Sequence, residues 1–488
     1  MSGPMALGTM LALPVAAAAL IPLAARRPNL REGIGIAAGL ALFALVARWV
    51  PAVMEGARPF LLLAEPIPGL AVALAAEPLG MLFALVASGL WPVTVLYAVG
   101  YMRAHHEGHQ TRFFAFFALA IASAAGVALA ANLFTLFLFY ELLTLTTYPL
   151  VTHAGSPEAR RAGRTYLGIL LATSIGLQLP ALVGVWVLAG TLDFRVGGVL
   201  AGTAPDWVLG LLLGLFVLGV GKAAVMPVHR WLPAAMVAPT PVSALLHAVA
   251  VVKAGVFTIL KVTVYTFGLD TVTRLEAAEV LLGLASATVL LASFVALRQD
   301  DLKRRLAYST VSQLSYIVAG ALLAVPLGIQ GGALHIATHA FGKITLFFCA
   351  GLVLVAAHRS RVTELNGLGR AMPWTFAAFF VASLSVIGLP PGGGLWSKWY
   401  LALASLEAGQ AYVLGVLMLS SVLNVAYLLP VPVRAFFGTP AEEPHADRVP
   451  RTSLAAVTLT ATGAVALFFY PEGPYALVGR LFPGGDNG

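Results

Sequence analysis

Residues 221–229 read Gly221-Lys222-Ala223-Ala224-Val225-Met226-Pro227-Val228-His229, at the end of an apolar segment that runs over about 207–228. A proline inside a helix removes a backbone donor and breaks the i→i−4 ladder. In a membrane, the groups so freed persist only where they are buried in protein or face a water-filled cavity. A second stretch has the same make-up: Gly388-Leu389-Pro390-Pro391-Gly392-Gly393-Gly394-Leu395-Trp396-Ser397-Lys398. Each combines a helix-breaking proline with a lysine a few residues away. Both predict a membrane helix interrupted beside a buried cation.

The rest of the chain supports a bilayer setting. Of 488 residues, 59% are hydrophobic and 10% charged, with a mean hydropathy of +0.90. Soluble domains carry about 25% charged residues, so too few are present to coat a single water-soluble core. Apolar segments fall near 5–24, 34–50, 79–101, 113–131, 132–152, 166–189, 207–228, 241–267, 275–297, 303–324, 330–357, 372–409, 411–431 and 452–471. Their lengths, close to the roughly 20 residues a spanning helix needs, and their lack of strict alternation favour helices over barrel strands. The expected fold is therefore an all-α polytopic membrane protein of about 14 transmembrane helices. Met1 to Ala24 contains no Lys or Arg, while Arg26, Arg27 and Arg31 follow it. That is the reverse of a secretory signal, so a retained first helix is expected.

These counts exclude a soluble enzyme, a disordered chain and a disulfide scaffold. The one cysteine, Cys349, cannot build a thiolate zinc site or an iron–sulfur cluster. No cofactor, no resident metal, and no redox or hydrolytic centre is expected. The net charge of +8 is spread over short loops, so nucleic acid is not an expected partner. Odd-numbered loops hold Arg26, Arg27 and Arg31, Arg160, Arg161 and Arg164, Lys303, Arg304 and Arg305, and further arginines. Even-numbered loops or their helix ends hold Arg48, Arg58, Arg195 and Arg274. This bias places the odd loops in the cytoplasm and both termini on the outer side of the cytoplasmic membrane.

The positions of the two interruptions suggest a domain plan. Helix 7 is fourth in the run 4–8 and helix 12 is fourth in the run 9–13, so a five-helix unit recurs with inverted direction, as in ion transporters. The expected divisions are 1–112 (helices 1–3), 113–267 (first repeat), 275–431 (second repeat) and 432–488 (a loop and helix 14). The longest polar stretches, 51–78 and 434–452, are too short for a soluble domain.

An ionisable residue near the bilayer centre costs about 2.5–3.5 kcal/mol on insertion scales and is a functional candidate by default. Glu141, Lys222, Lys253, Lys343 and Lys398 qualify, together with His247, His335 and His339. Any one of them could be an interhelical contact, but a set on five helices favours function. A buried lysine can take up and release protons at physiological pH, histidines can bridge lysines, and a nearby carboxylate such as Glu141 would favour the charged lysine. Lys261 lies near a helix end, where snorkelling to the interface is expected. Gly219-Val220-Gly221-Lys222 is no phosphate loop, because Phe216 and Ala223 occupy required Gly and Ser/Thr positions. His335 and His339 have metalloprotease spacing without its glutamate, which leaves a proton relay or a helix contact as the better readings. His105, His106 and His109 read as solvated loop residues.

At these residues the sequence resembles a known superfamily. The stretches Tyr140-Glu141-Leu142-Leu143-Thr144-Leu145-Thr146-Thr147-Tyr148, Pro227-Val228-His229-Arg230-Trp231-Leu232-Pro233, Ala238-Pro239-Thr240-Pro241-Val242-Ser243-Ala244-Leu245-Leu246-His247, Asp301-Leu302-Lys303-Arg304-Arg305-Leu306-Ala307-Tyr308-Ser309-Thr310 and Ser397-Lys398-Trp399-Tyr400 carry the resemblance. It is to the proton-translocating antiporter-like subunits of respiratory complex I, membrane-bound hydrogenases and Mrp-type cation/proton antiporters, over roughly residues 70–440. Within it the chain is most similar to the D subunits of Mrp-type Na+/H+ antiporters. The resemblance implies Glu141 and Lys222 as the acid and lysine of a first half-channel, and Lys253 and His247 as central relays. It implies His335, His339 and Lys343 as the link onward, and Lys398 as the terminal lysine. Tyr140 departs from the family pattern, where Trp or Phe is common, and Gly392-Gly393 departs where a bulkier pair is common.

The resulting expectation is a proton-conducting membrane subunit coupled to Na+ or K+ exchange within a hetero-oligomeric complex. The alternative is an ion-pumping subunit of a redox complex, a quinone reductase or a membrane-bound hydrogenase. A scaffold that merely anchors a partner would need neither buried lysines nor broken helices.

Overall fold

The computed structural model describes residues 1–440 and 445–482; part of the 434–452 stretch and the end of the tail lie outside them. The chain is a bundle of membrane-length helices. In order these are α1 (Gly3–Leu23), α2 (Pro28–Met54), α3 (Pro78–Ala104), α4 (Gln110–Ala128), α5 (Leu133–Val151), α6 (Pro157–Ala189), α7 (Asp206–Gly219), α8 (Thr240–Phe267), α9 (Glu276–Arg298), α10 (Leu302–Leu322), α11 (Pro326–Ala357), α12 (Pro373–Ile387), α13 (Gly394–Glu407), α14 (Ala411–Phe437), α15 (Arg451–Phe469) and α16 (Glu472–Gly479). Eleven described helices are each long and apolar enough to cross a membrane. Helices α7 and α12, which lead the interrupted segments, are apolar but shorter. Helix α10, whose first turn carries Lys303, Arg304 and Arg305, is 21 residues long. This is a polytopic all-α membrane protein.

Burial grades from the centre outward. Helix α8 is buried along its whole length, α11 and α3 over most of theirs, whereas α2, α14 and α15 expose most of their apolar residues. Large side chains such as Val187, Trp207, Trp374 and Val422 face outward, as a lipid-facing surface requires. The candidate lysines on α8 and α11 therefore sit on the innermost helices.

Both expected interruptions are present. Helix α7 ends at Gly219, a short 3-10 turn holds Gly221–Ala223, and Ala224 adopts a left-handed conformation. Helix α12 ends at Ile387, Gly388 is left-handed, and α13 begins at Gly394. Glycine makes the close packing at these breaks possible. A Cβ on Gly255 of α8 would stand 2.4 Å from the Lys222 carbonyl carbon, and one on Gly394 would stand 1.9 Å from the Ser385 oxygen.

Three features were not anticipated. The stretch 51–78 is not merely a loop: Phe60–Ile67 (β1) and Leu70–Ala75 (β2) form an antiparallel hairpin. The hairpin is tied to α5, because Thr135 Oγ1 accepts the Ala73 amide at 2.9 Å and Asn132 donates to the Ala71 carbonyl at 2.8 Å. The short helix α16 follows α15. Finally, α6 and α8 contain π-helical turns, at Ser174–Gln178 in the first and at Leu245–Val249 and Thr263–Phe267 in the second. An inserted residue of this kind leaves overall apolarity unchanged, so a hydropathy reading passes over it. The first α8 turn holds His247, and π-turns occur frequently at functional sites.

Candidate functional site

Lys222 is fully buried within the first break. Its ammonium donates to the Tyr140 carbonyl at 2.8 Å and to Thr144 Oγ1 at 2.6 Å, and lies 3.2 Å from the centre of the Tyr140 ring. The freed backbone is satisfied locally. The Lys222 amide donates to the Tyr140 hydroxyl at 3.1 Å, and the Trp231 indole donates to the Gly221 carbonyl at 2.9 Å. Tyr140, noted above as a departure from the family pattern, thus holds the lysine by ring, carbonyl and hydroxyl; neither Trp nor Phe offers that hydroxyl. Glu141 makes no direct ion pair with Lys222. It is half-buried, and its Oε1 is buried without a hydrogen-bond partner.

Lys253, on α8 two residues from the glycine that touches Lys222, places its ammonium 2.7 Å from Nδ1 of His339. His335, His339 and Lys343 recur every four residues on α11, which aligns them on one helix face. The His335 and His339 rings stack at 5.5 Å, and the Tyr316 ring stacks on His335 at 5.7 Å. His335 bonds Ser397 Oγ at 2.8 Å through Nδ1 and Gln313 Oε1 at 3.1 Å through Nε2. Ser397 immediately precedes Lys398. The Lys398 ammonium donates to the Ile387 carbonyl freed by the second break, at 2.9 Å, and to Ser421 at 3.3 Å. It also lies 4.8 Å from the Tyr316 ring centre. Lys343 donates to Ser309 Oγ at 2.6 Å, and Tyr427 bonds the same hydroxyl.

The structure thus joins Lys253, His339, His335 and Ser397 into a connected group beside Lys398, with Lys222 packed against α8 on the other side. His247 stands apart. Its ring lies against Phe347, and neither ring nitrogen has a hydrogen-bond partner. His339 Nε2, Gln313 Nε2 and Asn424 Nδ2 are likewise buried and unpartnered, and buried polar groups of this kind are normally satisfied by water. Thr144, Ser309, Gln313, Tyr316, Ser397 and Tyr427 were missed as site residues. Thr144, Ser309 and Ser397 fall inside the quoted motifs, so their position was the available signal. Lys261 corrects the snorkelling expectation: it is buried and paired with Glu77 at 3.3 Å. No cluster of potential metal ligands occurs among the described residues.

A helical membrane protein with lysines and histidines grouped between two broken helices defines a class of ion-translocating subunit architecture. Residues 130–424 match the family described as NADH:quinone oxidoreductase/Mrp antiporter, TM, and the chain belongs to that family. Subunit N of the NADH-quinone oxidoreductase of Desulforudis audaxviator is 34% identical over 430 residues, covering 83% of each chain. Subunit L of the Mycobacterium tuberculosis enzyme is 32% identical over 477 residues, covering 93% of this chain and 73% of the relative. In overall fold the chain is similar to a chain of the Mrp complex from Dietzia sp., with a TM-score of 0.88, 24% identity, and coverage of 99% and 97%. It is also similar to a chain of the membrane-bound sulfane sulfur reductase, an archaeal respiratory membrane complex, with a TM-score of 0.85, 23% identity, and coverage of 97% and 96%.

Proposed function

We propose that this chain is the proton-conducting membrane subunit of a multisubunit Na+/K+–H+ antiporter, carrying protons along the buried Lys/His/Glu axis. The observation that carries the reading is the 2.7 Å contact of Lys253 with His339, whose ring stacks at 5.5 Å on that of His335, itself hydrogen-bonded to Ser397 beside Lys398. In this reading water at the unpartnered His339 Nε2 carries the proton onward. An ammonium can donate to imidazole at that distance, and imidazole accepts at one nitrogen while releasing at the other. The Ser397 hydroxyl can accept from one partner and donate to another. Its neighbours are His335 at 2.8 Å, Thr338 Oγ1 at 3.1 Å and the Gly394 carbonyl, to which it can donate at 3.1 Å. In this reading Glu141 acts on Lys222 through space, and Lys343 exchanges with Ser309. His247 takes part through water. Residues 113–267 and 275–431 are the two inverted repeats, and each contributes one broken helix.

The second reading, an ion-pumping subunit of a redox complex, is favoured by the relatives above, which are subunits of NADH-quinone oxidoreductases. The chain acts with other membrane subunits in either case, so purification in mild detergent separates the two. Co-purification of small antiporter subunits without an iron–sulfur protein is expected; stoichiometric iron–sulfur subunits would replace the first reading with the second.

The orientation proposed is that of the loop charges, in the cytoplasmic membrane with both termini outside. Cysteines at Ser156 and Ser360, in a chain with Cys349 replaced, should react with an impermeant reagent only from the cytoplasmic face. Labelling of both from outside would reverse the orientation.

A further inference from the structure

Lys261 is 1% exposed in its side chain and its partner Glu77 13%, so the pair runs from the buried interior toward the protein surface. Glu77 stands where the β1–β2 hairpin meets α3. Its Oε1 accepts from the Gly80 amide at 2.8 Å, and its Oε2 accepts from the Leu79 amide at 2.9 Å and the Tyr265 hydroxyl at 2.8 Å. Lys261 donates to the Ala130 carbonyl at 2.8 Å and lies 4.6 Å from the Phe194 ring centre. The axis described above does not use this group.

As a mere fastener the pair is a poor choice, because a buried ion pair contributes little net stability and can often be replaced by apolar side chains. Its place on α8 is what points to function. Lys253, Phe257 and Lys261 recur every four residues, so the two lysines are about 12 Å apart along the helix. Phe257 lies between them, 5.4 Å from the Lys261 ammonium and 5.1 Å from the Phe83 ring. Immediately beyond Lys261, α8 passes into the π-turn Thr263–Phe267 that carries Tyr265.

We propose that Glu77, Lys261 and Tyr265 form a proton-exchange site at the hairpin end of α8, linking Lys253 to water on that face, with Phe257 as the apolar barrier between. This rests on the proton-conducting reading above. In the outward step an N–H bond of the Lys261 ammonium breaks and an O–H bond forms on the Glu77 carboxylate, leaving a neutral amine and acid. The acid then releases its proton to water, and Lys261 is reloaded from Lys253 when water or a turn of the Phe257 ring bridges the barrier. The inward step is the reverse.

The test is proton movement by the whole complex in membrane vesicles, normalised to assembled complex, for the double variant Glu77→Gln/Lys261→Met. The amide oxygen keeps one of the two bonds that cap α3 and methionine fills the lysine's space, so a fastener role predicts assembly and movement within about twofold of wild type. The exchange-site role predicts normal assembly with a loss of about 100-fold. Should the double variant fail to assemble, Lys261→Arg keeps the ion pair but cannot give up its proton. Loss of movement there supports the site, and a wild-type rate overturns it. A wild-type complex that moves no protons, or an unaffected Lys398→Ala, overturns the conducting reading itself. Normal wild-type movement, lost in Lys398→Ala but kept in the double variant, overturns the exchange site alone.

Discussion

Lys398→Ala is expected to abolish proton movement by the assembled complex, and Lys398→Arg is expected to abolish it as well. The alanine removes the ammonium on α13 that satisfies the Ile387 carbonyl at the second break. The arginine keeps a charge and a donor there, but guanidinium does not deprotonate in a protein. Loss of a positioned proton carrier costs about 100-fold or more. Space is also tight: the Lys398 side chain passes 2.7 Å from where a Cβ on Gly388 would sit. Assembly must therefore be measured beside transport, because an unsatisfied buried carbonyl costs about 1–3 kcal/mol. The assay is cation-driven proton movement in inverted vesicles, normalised to assembled complex. Normal movement in Lys398→Arg would make this residue a fixed charge and end its role as a carrier.

Lys253→Met should separate function from stability. Methionine matches the lysine stem in length and brings no charge into a site that is fully buried. The change lifts the desolvation cost of a buried charge, and that offsets the cost, about 1–3 kcal/mol, of leaving His339 Nδ1 without its partner. The thermal midpoint of the solubilised complex is therefore expected to stay close to that of wild type. Proton movement should nevertheless fall by about 100-fold, because the donor to His339 is gone. His339→Gln should fall less, since an amide can still hold a water in the gap while being unable to carry the proton itself.

Much of this was legible in the residues themselves. Pro227 and Pro390-Pro391, each close to a lysine, announced the two breaks, because proline acts on its own backbone and needs no distant partner. The buried cations were legible because charge in an apolar run is conspicuous. What stayed hidden depended on contacts between distant segments. The depth of Lys261 in its helix suggests snorkelling, but its partner is Glu77, far away in sequence. Tyr140 registered only as a departure from a family pattern, and its hold on Lys222 emerged from the fold of the break. The pairing of Lys253 with His339 joins α8 to α11, 86 residues apart in sequence, while His247 packs on Phe347 instead. The hairpin 60–75 contains Glu65 and Pro66 and lacks clean alternation, so its strands read as loop.

The central claim is that protons cross this subunit through Lys253 and its histidines. It is tested most directly with the purified complex in proteoliposomes, where a potassium diffusion potential drives protons and an enclosed pH dye reports them. Wild type should acidify or alkalinise the lumen according to the sign of the potential, and Lys253→Met should match protein-free vesicles. A Lys253→Met complex, intact and correctly inserted, that moves protons at the wild-type rate would contradict the account.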